Sequence, residues 1–453
     1  MPTTDQPRKP NYSSKEFLQQ HVQEIVDFYY PDCIDYELGG YINQFRDDGT
    51  IFDDQTKHLV GTCRFIYVFS IAAMMLDNTE YVDAAKHGIK FLQEHHKQPS
   101  GGYAWLLSGL DVTDATNHCY GHAFVLLAYA TALKAGIKEA AQPLAETFDL
   151  MEEQFWNAED QLYVDEISPD WSVTDPYRGQ NANMHTCEAM IAAFEATGDK
   201  RYLERATTLA KRVCIDLANE SGGMIWEHYA EDWSIDWKYN LDDPKNLFRP
   251  YGFLVGHWTE WTKLLLILEE HNPQDWMLPQ AKKLFDSAVA QGWDHVNGGF
   301  NYSISPSIDE ERAIALGLPA TLGEIIDTDR YYWVLSETIA ASGLLAARTG
   351  VAEYAEWHER TWQWSLDNLV DQKYGGWYRI LDSNNQRYDN LKSPASKTDY
   401  HPVAACWELF QRAKIAARTG KQLSCHHPEH RRRVSSQQHS THKLSNDIAT
   451  LSS

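Results

Sequence analysis

The 453-residue chain is short of positive charge, with 40 Lys and Arg against 64 Asp and Glu and a formal charge of −24. So acidic a protein repels phosphate backbones and anionic lipid, which argues against nucleic acid and membrane surfaces as partners. Cysteine is scarce and scattered: Cys33, Cys63, Cys119, Cys187, Cys214, Cys406 and Cys425 form no CxxC. That excludes a disulfide frame or a zinc knuckle and suits reduced core thiols. No stretch reaches the roughly 18 uninterrupted apolar residues of a membrane span, and Met1 to Pro10 lack the apolar core of a signal peptide. A cytoplasmic protein is expected. HExxH, paired Asp/Glu metal patterns and a GxGxxG continuation are also missing, so neither a metal nor any other cofactor is expected.

Apolar and aromatic material, by contrast, is plentiful at 43% and 12% of residues, enough to offset chain entropy with a sizeable core. With charged partners set aside, a small neutral ligand fits best. The composition changes near the C-terminus. Residues 421–453 hold five basic and two acidic side chains, leaving −27 on residues 1–420. This Ser/His/Gln-rich segment, with His426, His427 and His430, reads as a flexible, solvated tail.

Self-similarity carries most of the architectural information. Gly-Gly followed by an aromatic or apolar residue recurs at Gly39-Gly40-Tyr41, Gly101-Gly102-Tyr103, Gly222-Gly223-Met224, Gly298-Gly299-Phe300 and Gly375-Gly376-Trp377. A degenerate copy stands at Asp160-Gln161-Leu162-Tyr163. Successive copies are about 60 to 77 residues apart, room for two helices and a β-turn segment. Helical periodicity fills the intervals, as in Phe65, Val68, Phe69, Ala72 and Ala73. Second turn signals at Asp77-Asn78, Ala135-Gly136, Thr197-Gly198-Asp199, His271-Asn272-Pro273 and Thr349-Gly350 divide each interval into a hairpin. An open solenoid would need capping repeats, whereas six hairpins can close on themselves. The expected fold is therefore all-α: one (α/α)6 barrel over residues 1–420, with the Gly-Gly loops gathered at one mouth.

If the first helix of each pair lines the barrel, polar residues along it mark the site. Counting back from the turns, Arg64 lies 14 residues before Asn78, His122 14 before Gly136, His185 13 before Gly198, His257 14 before His271 and Glu337 13 before Gly350. The sixth repeat supplies His401. Glu260 lies three residues beyond His257, where it could orient the imidazole, and Asn181 shares a helix face with His185. Tyr120 is placed at a helix entrance.

Three imidazoles, an arginine and a glutamate among Trp and Tyr suit proton transfer on a carbohydrate. One imidazole removes a carbon-bound proton, another donates to oxygen, and Arg64 meets the charge of an enediolate. A glycoside hydrolase would need two carboxylates flanking the bond, for which Glu337 and Glu260 are the candidates. A non-catalytic sugar-binding protein would share the aromatics but gain nothing from several imidazoles.

Several segments carry a family resemblance: Cys63 to Ser70 (Cys-Arg-Phe-Ile-Tyr-Val-Phe-Ser), Asn181-Ala182-Asn183-Met184-His185, Phe248-Arg249-Pro250-Tyr251-Gly252 running into Gly256-His257-Trp258-Thr259-Glu260-Trp261, Trp333 with Glu337, and Asp399-Tyr400-His401. From about Glu16 to Arg418 the chain resembles the N-acylglucosamine 2-epimerase superfamily, and within it the aldose–ketose isomerase branch. The resemblance implies an (α/α)6 barrel and cofactor-free isomerisation through a cis-enediol. It further implies His257 and His401 as the acid/base pair, and His185 assisting ring opening or holding substrate. Arg64 would bind the reacting oxygens, and Tyr120, Asn181, Glu260, Trp333 and Glu337 would line the subsite. His122, which only the count from the turns supports, is kept as a lesser pocket residue. The expected substrate is a monosaccharide and the expected reaction D-mannose to D-fructose, with D-lyxose and D-xylulose as a further pair, in a monomer or homodimer. Sugar 2-epimerisation and sulfoquinovose isomerisation are the alternatives.

Overall fold

The computed structural model describes residues 10–419 except 247 and 395; the tail expected at 421–453 lies outside the described residues. Fourteen α-helices run in chain order. The first seven are α1 (Lys15–Tyr29), α2 (Leu59–Leu76), α3 (Thr79–Phe91), α4 (Cys119–Lys134), α5 (Ala141–Gln154), α6 (Gln180–Thr197) and α7 (Lys200–Lys211). After a single turn, α8 (Ala218–Glu220), come α9 (Val255–His271), α10 (Met277–Gly292), the short α11 (Glu310–Leu316), α12 (Tyr332–Thr349), α13 (Ala352–Asn368) and α14 (Tyr400–Thr419).

Helices α2, α4, α6, α9, α12 and α14 pack each on the next, and α14 returns to α2, so the ring closes. The other six long helices form an outer layer, giving the expected (α/α)6 barrel. Composition explains the two layers. An inner helix is contacted on every side and is apolar nearly all round, as in α2 and α9, whereas outer helices such as α7 carry one apolar stripe. Helix α2 is apolar and long enough to cross a bilayer, but most of it is buried inside the ring. One pairing differs from a run of six consecutive hairpins: α14 is backed by α1, from the opposite end of the chain.

The turns between paired helices form where the sequence marks them. Asp77, Gly198 and Gly350 end α2, α6 and α12 in the left-handed conformation, and Asn78 and Asp199 cap the helices that follow. At the other end of the barrel four of the five Gly-Gly sequences make a tight antiparallel turn. Tyr41 bridges back to Ile34, Tyr103 to Lys97, Phe300 to Trp293 and Trp377 to Val370. In the degenerate copy Gln161 takes the left-handed conformation that glycine takes elsewhere.

Three of these loops share an anchor. Asp35 accepts the backbone N–H groups of Glu37 and Leu38 through one oxygen and Lys57 through the other, 2.5 Å away. Asp371 does the same with Lys373, Tyr374 and Lys392, and Asp294 with Val296, Asn297 and Arg330. The cation returns to a carbonyl of its own loop, such as Tyr41 or Gly375. Each loop is thereby fixed to the strand leading into an inner helix, or for Lys392 to the segment before α14.

Short strands complete this end. His58, His118, Gly179, Leu254 and Tyr331 each end a strand that leads directly into an inner helix and pairs with a neighbouring loop. Gln44–Arg46 pairs with Leu391–Ser393, which ties the two ends of the chain across the closing seam. The first turns of five inner helices are thus held by both sheet and loop.

Candidate active site

The helix starts divide the polar residues into two levels. Arg64, His185, Glu260 and Glu337 each occupy the sixth residue of their helices, on α2, α6, α9 and α12. Tyr120, Asn181, His257, Trp333 and His401 fall at the second or third residue, about one turn nearer the mouth. The single level expected from the turns is therefore a pair of levels, and His257 belongs with His401 in the upper one.

Ring contacts show which of these side chains meet. Trp333 packs against His257 with centroids 5.1 Å apart and against His401 at 5.7 Å. His401 lies 6.4 Å from His185, whose ring meets Tyr120 at 5.1 Å. Gly256 makes room for this arrangement: a Cβ there would stand 2.4 Å from the Trp333 ring. Arg64 donates to the Tyr120 hydroxyl at 3.2 Å and to the Ser396 carbonyl at 3.1 Å, and its guanidinium lies over Phe124 and Tyr400. Among the described residues its Nε has no partner, and neither does the shielded Oδ1 of Asn181.

Each of the three histidines has a carboxylate at Nδ1. His401 Nδ1 is 2.7 Å from Oε1 of Glu337, His185 Nδ1 is 3.0 Å from Oε2 of Glu188, and His257 Nδ1 is 2.9 Å from Oε2 of Glu227. A carboxylate accepts, so Nδ1 carries the proton and Nε2 is left with a lone pair. At His257 the Nε2 of Gln180 also lies 3.0 Å from Nδ1, and the charged Glu227 oxygen, the stronger acceptor, takes both donors. The Trp261 indole can only donate, and it donates to Oε1 of Gln180 at 2.7 Å, so Nε2 of Gln180 faces Glu227 and donates to Oε2 at 2.9 Å.

The partner of His257 is not the one expected from its helix. Glu260, three residues on, approaches His185 at 3.9 Å and Lys263 at 3.7 Å instead, and among the described residues neither of its oxygens has a hydrogen-bond partner. Burial first, and then the nearby Glu337, raise its carboxyl well above the ordinary range. Burial also raises Glu337, opposed by Lys263. Burial works against an ionised Glu188 as well, but Lys263, His185 and the Tyr400 hydroxyl outweigh it and keep the carboxyl low. His401 is lowered well below the usual imidazole range by burial, then by Arg64, His185 and Lys263. It is therefore neutral near pH 7.

His122 stands apart. Its Nδ1 is 2.8 Å from the His118 carbonyl and its ring packs among Tyr103, Phe155 and Trp171, on the side of α4 facing the loops. Two positions from Tyr120, it falls on a different helix face, so equal distance from the turn does not give equal direction. His122 is therefore a packing residue and not the pocket residue expected from the count.

Glu188, Glu227, Gln180, Lys263 and Tyr400 were not singled out by the sequence argument as individual site residues. Glu188 and Lys263 carried a usable signal, each three residues after a site residue on the same helix. Glu227 had none beyond its place just after a Gly-Gly loop. Two triads, His185/Glu188/Glu260 and Glu260/Glu337/His401, bring one potential metal-ligand atom from each side chain within 4.8 Å of one another. The Lys263 ammonium lies among the same carboxylates, 2.6 Å from Glu337, and supplies positive charge there.

Comparisons with known proteins agree with this architecture. Residues 40–405 match the N-acylglucosamine 2-epimerase (GlcNAc 2-epimerase) family, and the chain belongs to that family. D-mannose isomerase of Marinomonas mediterranea is 47% identical over 403 residues, spanning 89% of this chain and 98% of that protein. A crystal structure of D-mannose isomerase matches with a TM-score of 0.85 at 47% identity, covering 89% of this chain and 100% of that one. Cellobiose 2-epimerase from Bacillus thermoamylovorans B4167 shares the fold, with a TM-score of 0.76 at 19% identity over 88% of this chain and 100% of that one.

Proposed function

We propose that this protein is a cofactor-independent aldose–ketose isomerase that interconverts D-mannose and D-fructose. The observation that carries the reading is the set of three imidazoles, each with Nδ1 on a carboxylate and Nε2 left for substrate, two of them packed on Trp333 and two, His185 and His401, beside Arg64. The 47% identity to a D-mannose isomerase supports the choice of substrate.

In the open-chain aldose, Nε2 of one of the pair His257 and His401 takes the C2 proton, and the C–H electrons form the C1–C2 double bond. The carbonyl oxygen O1 gains charge and takes a proton, giving the cis-enediol. Return of a proton to C1 with loss of the O2 proton forms the ketose. Neutral His401 suits the role of base, because an acceptor must be unprotonated at the working pH. Arg64 and the six helix N-termini converging on this mouth favour negative charge on the enediolate oxygens. His185 assists ring opening, and Tyr120, Asn181, Glu260, Trp333 and Glu337 line the subsite. The six described cysteines are buried and unbridged, which fits a reducing, cytoplasmic compartment.

Incubation with mannose in deuterated water, followed by NMR, tests the reading. Fructose as the main product, labelled where solvent exchanges, is the expected result. Glucose appearing before fructose would establish 2-epimerisation instead, and binding without any conversion would reduce the protein to a sugar-binding module.

A further inference from the structure

Lys263 is 1% exposed, on α9, and takes no part in the proton transfers just described. Its Nζ lies 2.6 Å from Oε2 of Glu337, 3.5 Å from Oε1 of Glu188 and 3.7 Å from Oε1 of Glu260. Those carboxylates come from α12, α6 and α9. The opposite oxygen of Glu337 meets Nδ1 of His401, and the opposite oxygen of Glu188 meets Nδ1 of His185 and the Tyr400 hydroxyl. One ammonium thus stands directly behind two carboxylate–imidazole pairs on different helices.

We propose that Lys263 is a positioning residue for the isomerisation: its ammonium fixes the carboxylates of Glu337 and Glu188 so that His401 and His185 present Nε2 to the sugar in register. This rests on the reading of the site as an isomerase. The geometry favours it over a simple buried ion pair. A single carboxylate would satisfy the charge of one lysine, whereas here Glu337 and Glu188 converge on it from two helices, both already engaged with imidazoles at their other oxygen. Burial alone would lower the Lys263 ammonium, and Glu337 and Glu188 foremost outweigh it, so the ammonium keeps its charge.

The groups facing this level are Arg64 and Tyr67 from α2, Tyr120 from α4, His185 and Glu188 from α6, Glu260 from α9, Tyr332 and Glu337 from α12, and Tyr400 and His401 from α14. On its far side Lys263 borders a cavity lined also by Lys134, Glu195 and Glu408. Of the permanent cations, Arg64 and Lys263 both act to keep His401 neutral. Removing Lys263 leaves only Arg64, so the His401 imidazole becomes easier to protonate. The acid limb of turnover, where the base gains its proton, then moves to higher pH.

The test is Lys263→Met, assayed with mannose across pH beside wild type. The expected result is a kcat lowered by roughly 100-fold with KM changed less than about threefold, because the ammonium supports groups that touch substrate without touching it. The acid limb shifts upward, and ethylammonium added to Lys263→Ala restores part of kcat while leaving His401→Ala inactive. ¹⁵N NMR of the His401 ring follows the same titration without any substrate. A kcat within threefold of wild type would overturn the proposal. So would a lower kcat with the acid limb and the His401 titration unmoved and no rescue, which is the signature of a purely structural residue. If Lys263→Met is not recovered folded, Lys263→Gln, which fills the same space with a polar group, takes its place under the same criteria; failure of both to fold assigns Lys263 to the fold and overturns the proposal. Absence of mannose conversion by wild type would refute the isomerase reading alone, since the ring titration still reports on Lys263.

Discussion

Glu227→Gln isolates the control of one imidazole. The substitution keeps shape and volume but removes the charge from the oxygen shared by His257 Nδ1 and Gln180 Nε2, each 2.9 Å away. A hydrogen bond to a charged acceptor is worth about 1.5–3 kcal/mol, or about 10- to 150-fold in rate if it is realised fully in the transition state. The lower figure applies if the new amide turns its oxygen toward His257 and preserves the tautomer. If it turns its nitrogen, Nδ1 must accept, the proton moves to Nε2, and the lone pair facing substrate is lost, which takes the effect to or beyond the upper figure. Because Glu227 is 3% exposed and lies behind the ring, KM should change less than about threefold. Initial rates of fructose formation over a range of mannose concentrations measure both constants, with far-UV circular dichroism confirming the fold. A kcat within threefold of wild type would refute the claim that this carboxylate sets the state of His257.

Four further outcomes are expected. His257→Ala and His401→Ala each nearly abolish turnover while the fold persists; near-wild-type activity in either removes that residue from the acid/base pair. Gly256→Ala places a Cβ 2.4 Å from Trp333, so about 1–3 kcal/mol of stability should be lost together with kcat, measured by denaturant titration and initial rates; an unchanged midpoint would show that Trp333 yields freely. Exhaustive dialysis against EDTA should leave activity intact, and loss restored by one metal would refute cofactor-free catalysis. Finally, His21, His96 and His358 are buried and pushed down to about 4 by desolvation, so the unfolded chain binds more protons than the native one between that value and the ordinary imidazole pKa. Stability should therefore fall as pH drops from about 6.5 toward 4, and a melting temperature flat over that window would contradict the burial of these rings.

Much of the fold was legible because its signals are local. A Gly-Gly turn, a left-handed cap at Gly198 or Gly350 and the apolar period of an inner helix each depend on a few neighbouring residues. The aspartate that anchors three of the loops was less visible, since its cation arrives from 21 to 36 residues further along the chain. Within the site, counting from the turns found Arg64, His185, His257 and Glu337. It failed at His122, because the count fixes height along a helix and not the face on which a side chain emerges.

By itself the sequence determined six repeats, an inner helix in each, and an imidazole, guanidinium or carboxylate near the start of most of those helices. Only the tertiary structure decided which carboxylate serves which imidazole: Glu227 lies 30 residues before His257, and Glu337 64 residues before His401. It also decided that α1 backs α14 and that one lysine stands behind two carboxylate–imidazole pairs. Spacing along one helix records which residues share its face, but neighbours across the barrel axis exist only once six helices have closed into a ring.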